Sequence, residues 1–266
     1  MSEGWLKEKS PFIIASAFLG FLMLIFLLLP IINTVAISTD KLGSAIMSFE
    51  TREAIFTSFY AAFLATLFTF IFGVPLAYIL ARYKFPGKNI IDASIDLPIL
   101  IPHDAAGIAL LLLFGSNTLI GSGFSKIGIS FFRTLFGIVL AMAFVSSPFM
   151  IRSAEEAFKS VNPAMEKVAR SLGASKFKAF RHVTFPLAFR GILTGCLLTW
   201  ARSISEFGAV IILANVPITA PVQLYYVFTE QGLSAAVAIT ALLIIMTVAI
   251  FIVIKLITAK PFKPVY

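Results

Sequence analysis

The sequence predicts an all-α polytopic membrane protein with six transmembrane helices, and three observations predict it. Of its 266 residues, 59% are hydrophobic and 13% charged, and the mean hydropathy is +0.97. That composition lies outside the range of soluble domains. Charge-free runs cover residues 10–39, 54–81, 105–125, 134–151, 207–229 and 231–254, each near or above the roughly 18–20 residues a spanning helix needs. Finally, the net charge of +8 is distributed by side rather than clustered in a nucleic-acid patch. With a cytoplasmic N-terminus, that side gathers Lys7, Lys9, Arg82, Lys84, Lys88, the eight cations from Arg152 to Arg190, and Lys255, Lys260 and Lys263. Only Lys41, Arg52, Lys126 and Arg133 face the other side, and Arg202 lies within the membrane. The expectation is a multi-pass protein of the cell membrane, one domain over residues 1–266, with both termini cytoplasmic, lipid around it and no nucleic-acid partner.

The elements follow in order. Span one covers about 11–37. Lys7 and Lys9 precede it as they would a signal peptide, but the apolar run continues past Pro30 to Ile37 with no small-x-small cleavage site, so it is expected to be retained. Span two, about 54–82, contains Pro75. Span three, about 92–115, begins among Asp92, Asp96 and Asp104 and contains Pro98 and Pro102. Span four, about 134–158, contains Pro148. Span five, about 187–214, contains Arg202 and Glu206, and span six covers about 231–257. The prolines kink helices and free carbonyls that protein or water must satisfy. Between spans five and six, residues 215–232 read as an outer loop without Lys or Arg, bearing Tyr225 and Tyr226, suited to an external partner or to an interfacial aromatic belt.

Several functions are excluded by what the chain lacks. There is no G-x-x-x-x-G-K-[ST] loop, since its one Gly-Lys pair, Gly87-Lys88, is followed by Asn89. There is no H-E-x-x-H and no G-x-S-x-G, and the two histidines, His103 and His182, are too few for a metal cluster. No catalytic residue, metal site or bound cofactor is expected, and the single Cys196 cannot form an intrachain disulfide.

The most informative segment runs from Asn162 to Pro186, a polar, basic helix-turn-helix between spans four and five. Asn162 is a good N-cap and Pro163 fits the first helical position, where its missing N–H costs nothing. Met165, Val168, Ala169 and Leu172 fall at i, i+3, i+4 and i+7 on one stripe, with Glu166, Lys167 and Arg170 off it. Gly173 is expected to end the helix in the left-handed conformation. Ser175 can cap a second short helix carrying Phe177 and Phe180, with Lys176, Lys178 and Arg181 around them. Local chemistry alone fits either an amphipathic segment lying on lipid or a knuckle that enters a groove on a partner.

This segment resembles the cytoplasmic loop of binding-protein-dependent ABC importer permeases, E-A-A-x-x-x-G-x9-I-x-L-P. The chain reads Lys167-Val168-Ala169, three residues, Gly173, nine residues, then Val183-Thr184-Phe185-Pro186. The family's glutamate position holds Lys167, with Glu166 just before it, and its first alanine is Val168. The resemblance covers nearly the whole chain and implies the MetI-like type I permease fold, with coupling helices over about 162–181. It also implies a homodimer of permeases, two ABC ATPase subunits that bind ATP and Mg, and an external substrate-binding protein. The ATPase-docking residues it implies are Glu166, Ala169, Leu172, Gly173, Ala174, Ser175, Lys176, Phe177 and Arg181.

Two further stretches resemble permeases for tetrahedral oxyanions. Ala201-Arg202-Ser203-Ile204-Ser205-Glu206-Phe207-Gly208-Ala209 is similar to S/A-R-x-x-x-E-F-G-A, and Leu97-Pro98-Ile99-Leu100-Ile101-Pro102 with Gly107 and Leu110–Gly115 is similar to the third span of the same group. The group's apolar pair after the second proline is His103-Asp104 here. The resemblance implies molybdate or tungstate as cargo, with sulfate or thiosulfate as the alternative. Arg202 and Glu206, at i and i+4, either neutralise one another or line a path or gate with Phe207, His103 and Asp104. An ion-coupled secondary transporter or channel, with Arg202, Glu206, Asp92, Asp96 and Asp104 as an ion relay, is the rival from another class.

Overall fold

The computed structural model describes residues 11–259, with side chains described to Val253. The expected cytoplasmic cations Lys7, Lys9, Lys260 and Lys263, and the side chain of Lys255, lie outside the described residues. Among those described the fold is helical without strands: α1 (Pro11–Ile37), α2 (Thr39–Met47), α3 (Phe49–Arg82), α4 (Lys88–Leu100), α5 (His103–Phe114), α6 (Leu119–Ser125), α7 (Leu135–Ser160), α8 (Pro163–Ser171), α9 (Lys176–Ala179), a π turn (Phe180–Thr184), α10 (Phe185–Ile204), α11 (Gly208–Leu213), α12 (Ala220–Gln231) and α13 (Leu233–Ala259). Five helices are long and apolar enough to cross a membrane, and a sixth crossing results if α4 and α5, bent by 112° at their junction, count as one.

At the centre is α7, between α3 and α10. Small residues make this packing possible, because in lipid helices associate through close van der Waals contact rather than hydrophobic burial. The buried face of α3 is a stripe of Ala54, Ser58, Ala61, Ala65, Thr69, Gly73 and Ala77, at spacings of three or four. Against it lie Ile138, Ala141, Met142 and Val145 near one end of α7 and Met150, Ala154 and Phe158 near the other. The opposite face of α3 presents Phe56, Phe63, Phe68 and Phe72, all exposed, as a lipid-facing surface requires. Helix α1 has no buried residue along its length.

Helices α7 and α10 approach closely. A Cβ on Gly191 would lie 2.4 Å from the Ala157 Cβ, and one on Gly195 would lie 2.9 Å from the Ser153 Cβ. The small-x-x-x-small pair of span five thus meets a matching pair on α7 within the same chain.

Three segments differ from the sequence expectation. Span three is not one rod: Pro98 and Pro102 bracket the bend between α4 and α5, where an unbroken helix would lack two N–H donors. Span five ends α10 at Ile204 and resumes as α11 at Gly208. The expected outer loop 215–232 contains the twelve-residue helix α12, whose Ala220 N–H donates to Ser58 Oγ at 2.8 Å. Proline 148, by contrast, leaves α7 unbroken. It removes the N–H that would reach the Phe144 carbonyl, and Ser147 Oγ donates to that oxygen instead at 3.0 Å.

Gly191→Val is expected to lower stability by about 2 kcal/mol through overpacking against Ala157, read as a lower thermal midpoint in detergent micelles. Gly43→Ala, whose added Cβ meets nothing within 4 Å, should leave the midpoint unchanged or slightly raised.

Candidate functional site

Two constellations stand out, one beyond the end of α7 and one where the broken helices meet. At the first, the backbone folds as an elbow. Asn162 Oδ1 accepts from the Ala164 N–H at 2.9 Å and starts α8 with Pro163 in its first turn. Gly173, at φ +91°, ends it; its N–H donates to the Arg170 carbonyl at 3.0 Å and that of Ala174 to the Ala169 carbonyl at 3.1 Å. These two bonds satisfy carbonyls of the last turn and need a left-handed residue at position 173. Ser175 Oγ then accepts from the Lys178 N–H at 3.2 Å and starts α9. The second helix of the elbow does not stop before the membrane. It continues through the π turn directly into α10, and the widened turn falls where the ring of Pro186 would strike the carbonyl four residues back.

The elbow is fastened to the helices above it. Arg82, at the end of α3, donates from Nε to Glu166 Oε1 at 2.8 Å and from Nη2 to the Val161 carbonyl at 2.9 Å. The Tyr78 hydroxyl donates to Glu166 Oε2 at 3.4 Å. The pair is sheltered, its side chains 8% and 17% exposed. Around it Tyr78 packs edge-on against Phe158 and Phe180, with ring centroids 5.3 and 4.8 Å apart. Glu166, expected among the docking residues, therefore faces inward to α3. The outward face carries Met165, Val168, Leu172 (84% exposed) and Phe177 (67% exposed), with Lys176 and Arg181 also exposed and Ala169 and Ala174 half-buried beside the turn.

Just inside the elbow lies a network absent from the sequence expectations. Arg152 of α7 binds both oxygens of Asp96 at 3.0 and 2.7 Å, Asp92 Oδ1 and Glu155 Oε2 at 2.9 Å each, and the Asp92 carbonyl at 2.6 Å. Lys159 adds contacts to Glu155 and Glu156. The guanidinium ties α4 to α7 with the planar, bidentate geometry that arginine favours. Asp92 and Asp96 are thus bound to one cation, while Asp104 lies across the bend, so the three aspartates do not form a contiguous relay.

The second constellation joins the start of α5 to the end of α10. Arg202 Nη2 lies 2.9 Å from Glu206 Oε2 and 2.9 and 3.1 Å from the two ring nitrogens of His103. His103 Nδ1 is 3.1 Å from the same carboxylate oxygen. Glu206 is wholly buried, and its other oxygen, Oε1, accepts from the Ala209 N–H at 3.0 Å. One carboxylate thus neutralises an intramembrane arginine and caps α11. The following Gly208 lies so close to α5 that a Cβ there would be 2.3 Å from Asp104 Oδ1; a Cβ on Gly107 would fall 3.0 Å from the Ala209 Cα. Both quoted motifs therefore meet in space, the glycines as packing positions and Arg202, His103 and Glu206 as the charged core. Phe207 turns to Tyr225, 5.2 Å between centroids, and both line an apolar groove of about 570 Å³ between α10, α12 and α13.

In the sequence Arg82 and Arg152 stand out only as cations that set the side of the membrane. Their available signal was position: each ends a charge-free run. Among the described residues, no cluster of His, Cys, Asp and Glu has the arrangement of a metal site.

Residues 73–261 match the family described as binding-protein-dependent transport system inner membrane component. The chain is 42% identical over 203 residues to the molybdate/tungstate transport system permease protein WtpB of Thermococcus kodakarensis, covering 76% of this chain and 77% of that one. It is 38% identical over 247 residues to WtpB of Pyrococcus abyssi, covering 92% and 94%. A probable sulfate transport system permease protein, cysT of Chlorokybus atmophyticus, is 35% identical over 234 residues, covering 85% and 81%. In fold, the chain is similar to a bacterial alginate ABC transporter solved in complex with an alginate pentasaccharide-bound periplasmic protein, with a TM-score of 0.74 at 18% identity over 96% of each chain.

Removing Arg202 leaves a buried carboxylate with only His103 and the Ala209 N–H to satisfy it, so Arg202→Met is expected to cost about 3 kcal/mol. Combining it with Glu206→Gln should recover about 1–3 kcal/mol, the coupling of a contacting pair. Denaturant unfolding in micelles checks both; equal losses for single and double variants would contradict the pairing.

Proposed function

The chain belongs to the family of binding-protein-dependent transport system inner membrane components, a multi-pass membrane permease, and we propose that it carries a tetrahedral oxyanion, molybdate or tungstate, inward through an ATP-driven importer. The chain performs no bond chemistry. Two ABC ATPase subunits bind ATP and Mg beneath a pair of permeases, and a substrate-binding protein delivers cargo from outside. The observation that carries this reading is the elbow: an apolar knuckle outside the spans, exposed at Leu172 and Phe177 yet fastened inward through Glu166. A surface helix resting passively on lipid has no need of that sheltered ion pair.

The roles divide as follows. Both termini and the elbow face the cytoplasm, as the cation distribution supports. Met165, Val168, Leu172 and Phe177 enter the ATPase groove; Ala169, Gly173, Ala174 and Ser175 shape the turn; Lys176 and Arg181 border it. Glu166 passes the movement of α8 to α3 through Arg82, and α9 passes it along the continuous helix of α10 toward Arg202. The start of α5 and the end of α10 form the gate, where His103, Arg202 and Asp104 meet the route and Glu206 holds the arginine's charge. A second copy covers the groove at Phe207 and Tyr225, placing the route on the dimer axis.

The relatives named for molybdate and tungstate favour those ions, and the 35% identity to a protein named for sulfate keeps sulfate as the second cargo to test. Proteoliposomes holding this chain, its ATPase and its binding protein should take up molybdate or tungstate only with ATP, with sulfate competing at least about tenfold less well. Uptake by the chain alone, driven by an ion gradient, would overturn the proposal. Within the same assay Leu172→Asp should abolish assembly with the ATPase. Gly173→Val, forcing a β-branched residue to φ +91° at a cost of about 1–3 kcal/mol, should leave ATP hydrolysis running while uptake falls at least about tenfold.

A further inference from the structure

We infer that the groove receiving the elbow is an apolar depression rimmed by carboxylates, and that the elbow presents cations alone because Arg82 withdraws its one acidic side chain. Between Asn162 and Pro186 the sequence places five Lys and Arg residues against a single carboxylate, Glu166. That carboxylate is bound to Arg82 and sheltered. Lys167, Arg170, Lys176, Lys178 and Arg181 are all exposed, and none forms a salt bridge to another described residue. The cations nearer the membrane behave differently: Arg82, Arg152 and Lys159 are each held by carboxylates of the chain itself. The positive charge of the elbow is thus left without a carboxylate partner among the described residues, unlike that of Arg82, Arg152 and Lys159.

It also surrounds the exposed apolar side chains. Lys167 and Arg170 flank Val168 in α8, and Lys176 and Lys178 flank Phe177 at the start of α9. An interface of this kind has an apolar centre and a charged rim. Rim charges act mainly on the association rate and on rejection of wrong partners, and they are screened by salt. A groove edged with lysine or arginine would repel five cations at once, whereas aspartate and glutamate around an apolar floor complement both features. Had Glu166 faced outward, the rim would carry mixed charge; the Arg82 contact removes that ambiguity.

This inference rests on the reading of the elbow as the ATPase-docking element. Its test uses the full chain and its ATPase in nonionic detergent without anionic lipid. Carbodiimide, which joins a lysine amine to a carboxylate in direct contact, should link Lys167, Lys176 or Lys178 to Asp or Glu of the ATPase. The triple variant Lys167→Glu/Arg170→Glu/Lys176→Glu, folded as judged by an unchanged thermal midpoint, should bind the ATPase at least about tenfold more weakly at low salt, and wild-type binding should itself weaken as salt rises. If Leu172→Asp abolishes assembly while charge reversal and salt do nothing and no linkage forms, the acidic rim is wrong and the docking reading survives. If neither change affects assembly, both fail. If the triple variant assembles normally but no longer binds vesicles containing an anionic phospholipid, the cations serve the membrane and the inference is overturned.

Discussion

A single sheltered ion pair makes the elbow part of the membrane body rather than an appendage. Arg82 closes α3, Glu166 opens α8, and the 2.8 Å contact between them is reinforced by the Val161 carbonyl and by the Tyr78, Phe158 and Phe180 rings. Helix α3 has 34 residues, about 51 Å at about 1.5 Å per residue. A displacement of α8 is therefore applied to one end of a long continuous helix whose other end packs against α7, α10 and α12.

The second constraint is that of the bilayer, in which every interrupted helix must find new partners for its freed backbone groups. This chain interrupts two spans at the same level. Where α10 ends, Glu206 caps α11 and neutralises Arg202; where α4 and α5 part, His103 joins the same pair. Two breaks share one carboxylate. That economy explains why the signature residues fall where they do: Gly208 and Ala209 let α5 approach, Glu206 is buried among its partners, and Arg202, His103 and Asp104 retain exposure with which to meet anything else.

Much of the elbow was legible from local rules. Asn162, Pro163, Gly173 and Ser175 act through partners within five residues, so their roles follow from spacing, and Arg202 with Glu206 is a pair one helical turn apart. The spans were legible as charge-free runs because lipid excludes charge almost regardless of fold. The remainder depends on contacts that spacing does not encode. Arg82 and Glu166 are 84 residues apart, and Arg152 is 56 and 60 residues from its two aspartates. Which carboxylate meets which guanidinium is decided by helix packing. The bend at Pro102, the break after Ile204 and the π turn ahead of Pro186 fall at prolines or a charged pair, but such residues state only that a helix can break there. Helix α12 reads as a loop because Pro217 precedes it and Pro221 lies in its first turn, while its attachment at Ser58 comes from α3.

The most direct measurement is a double-mutant cycle on Arg82 and Glu166, reading molybdate moved per ATP hydrolysed in the reconstituted importer. If movement passes through their contact, Arg82→Gln and Glu166→Gln should each lower that ratio while the ATPase stays bound, and the double variant should lose no more than either alone. Losses that multiply, or a full ratio in all three variants, would contradict transmission through this pair.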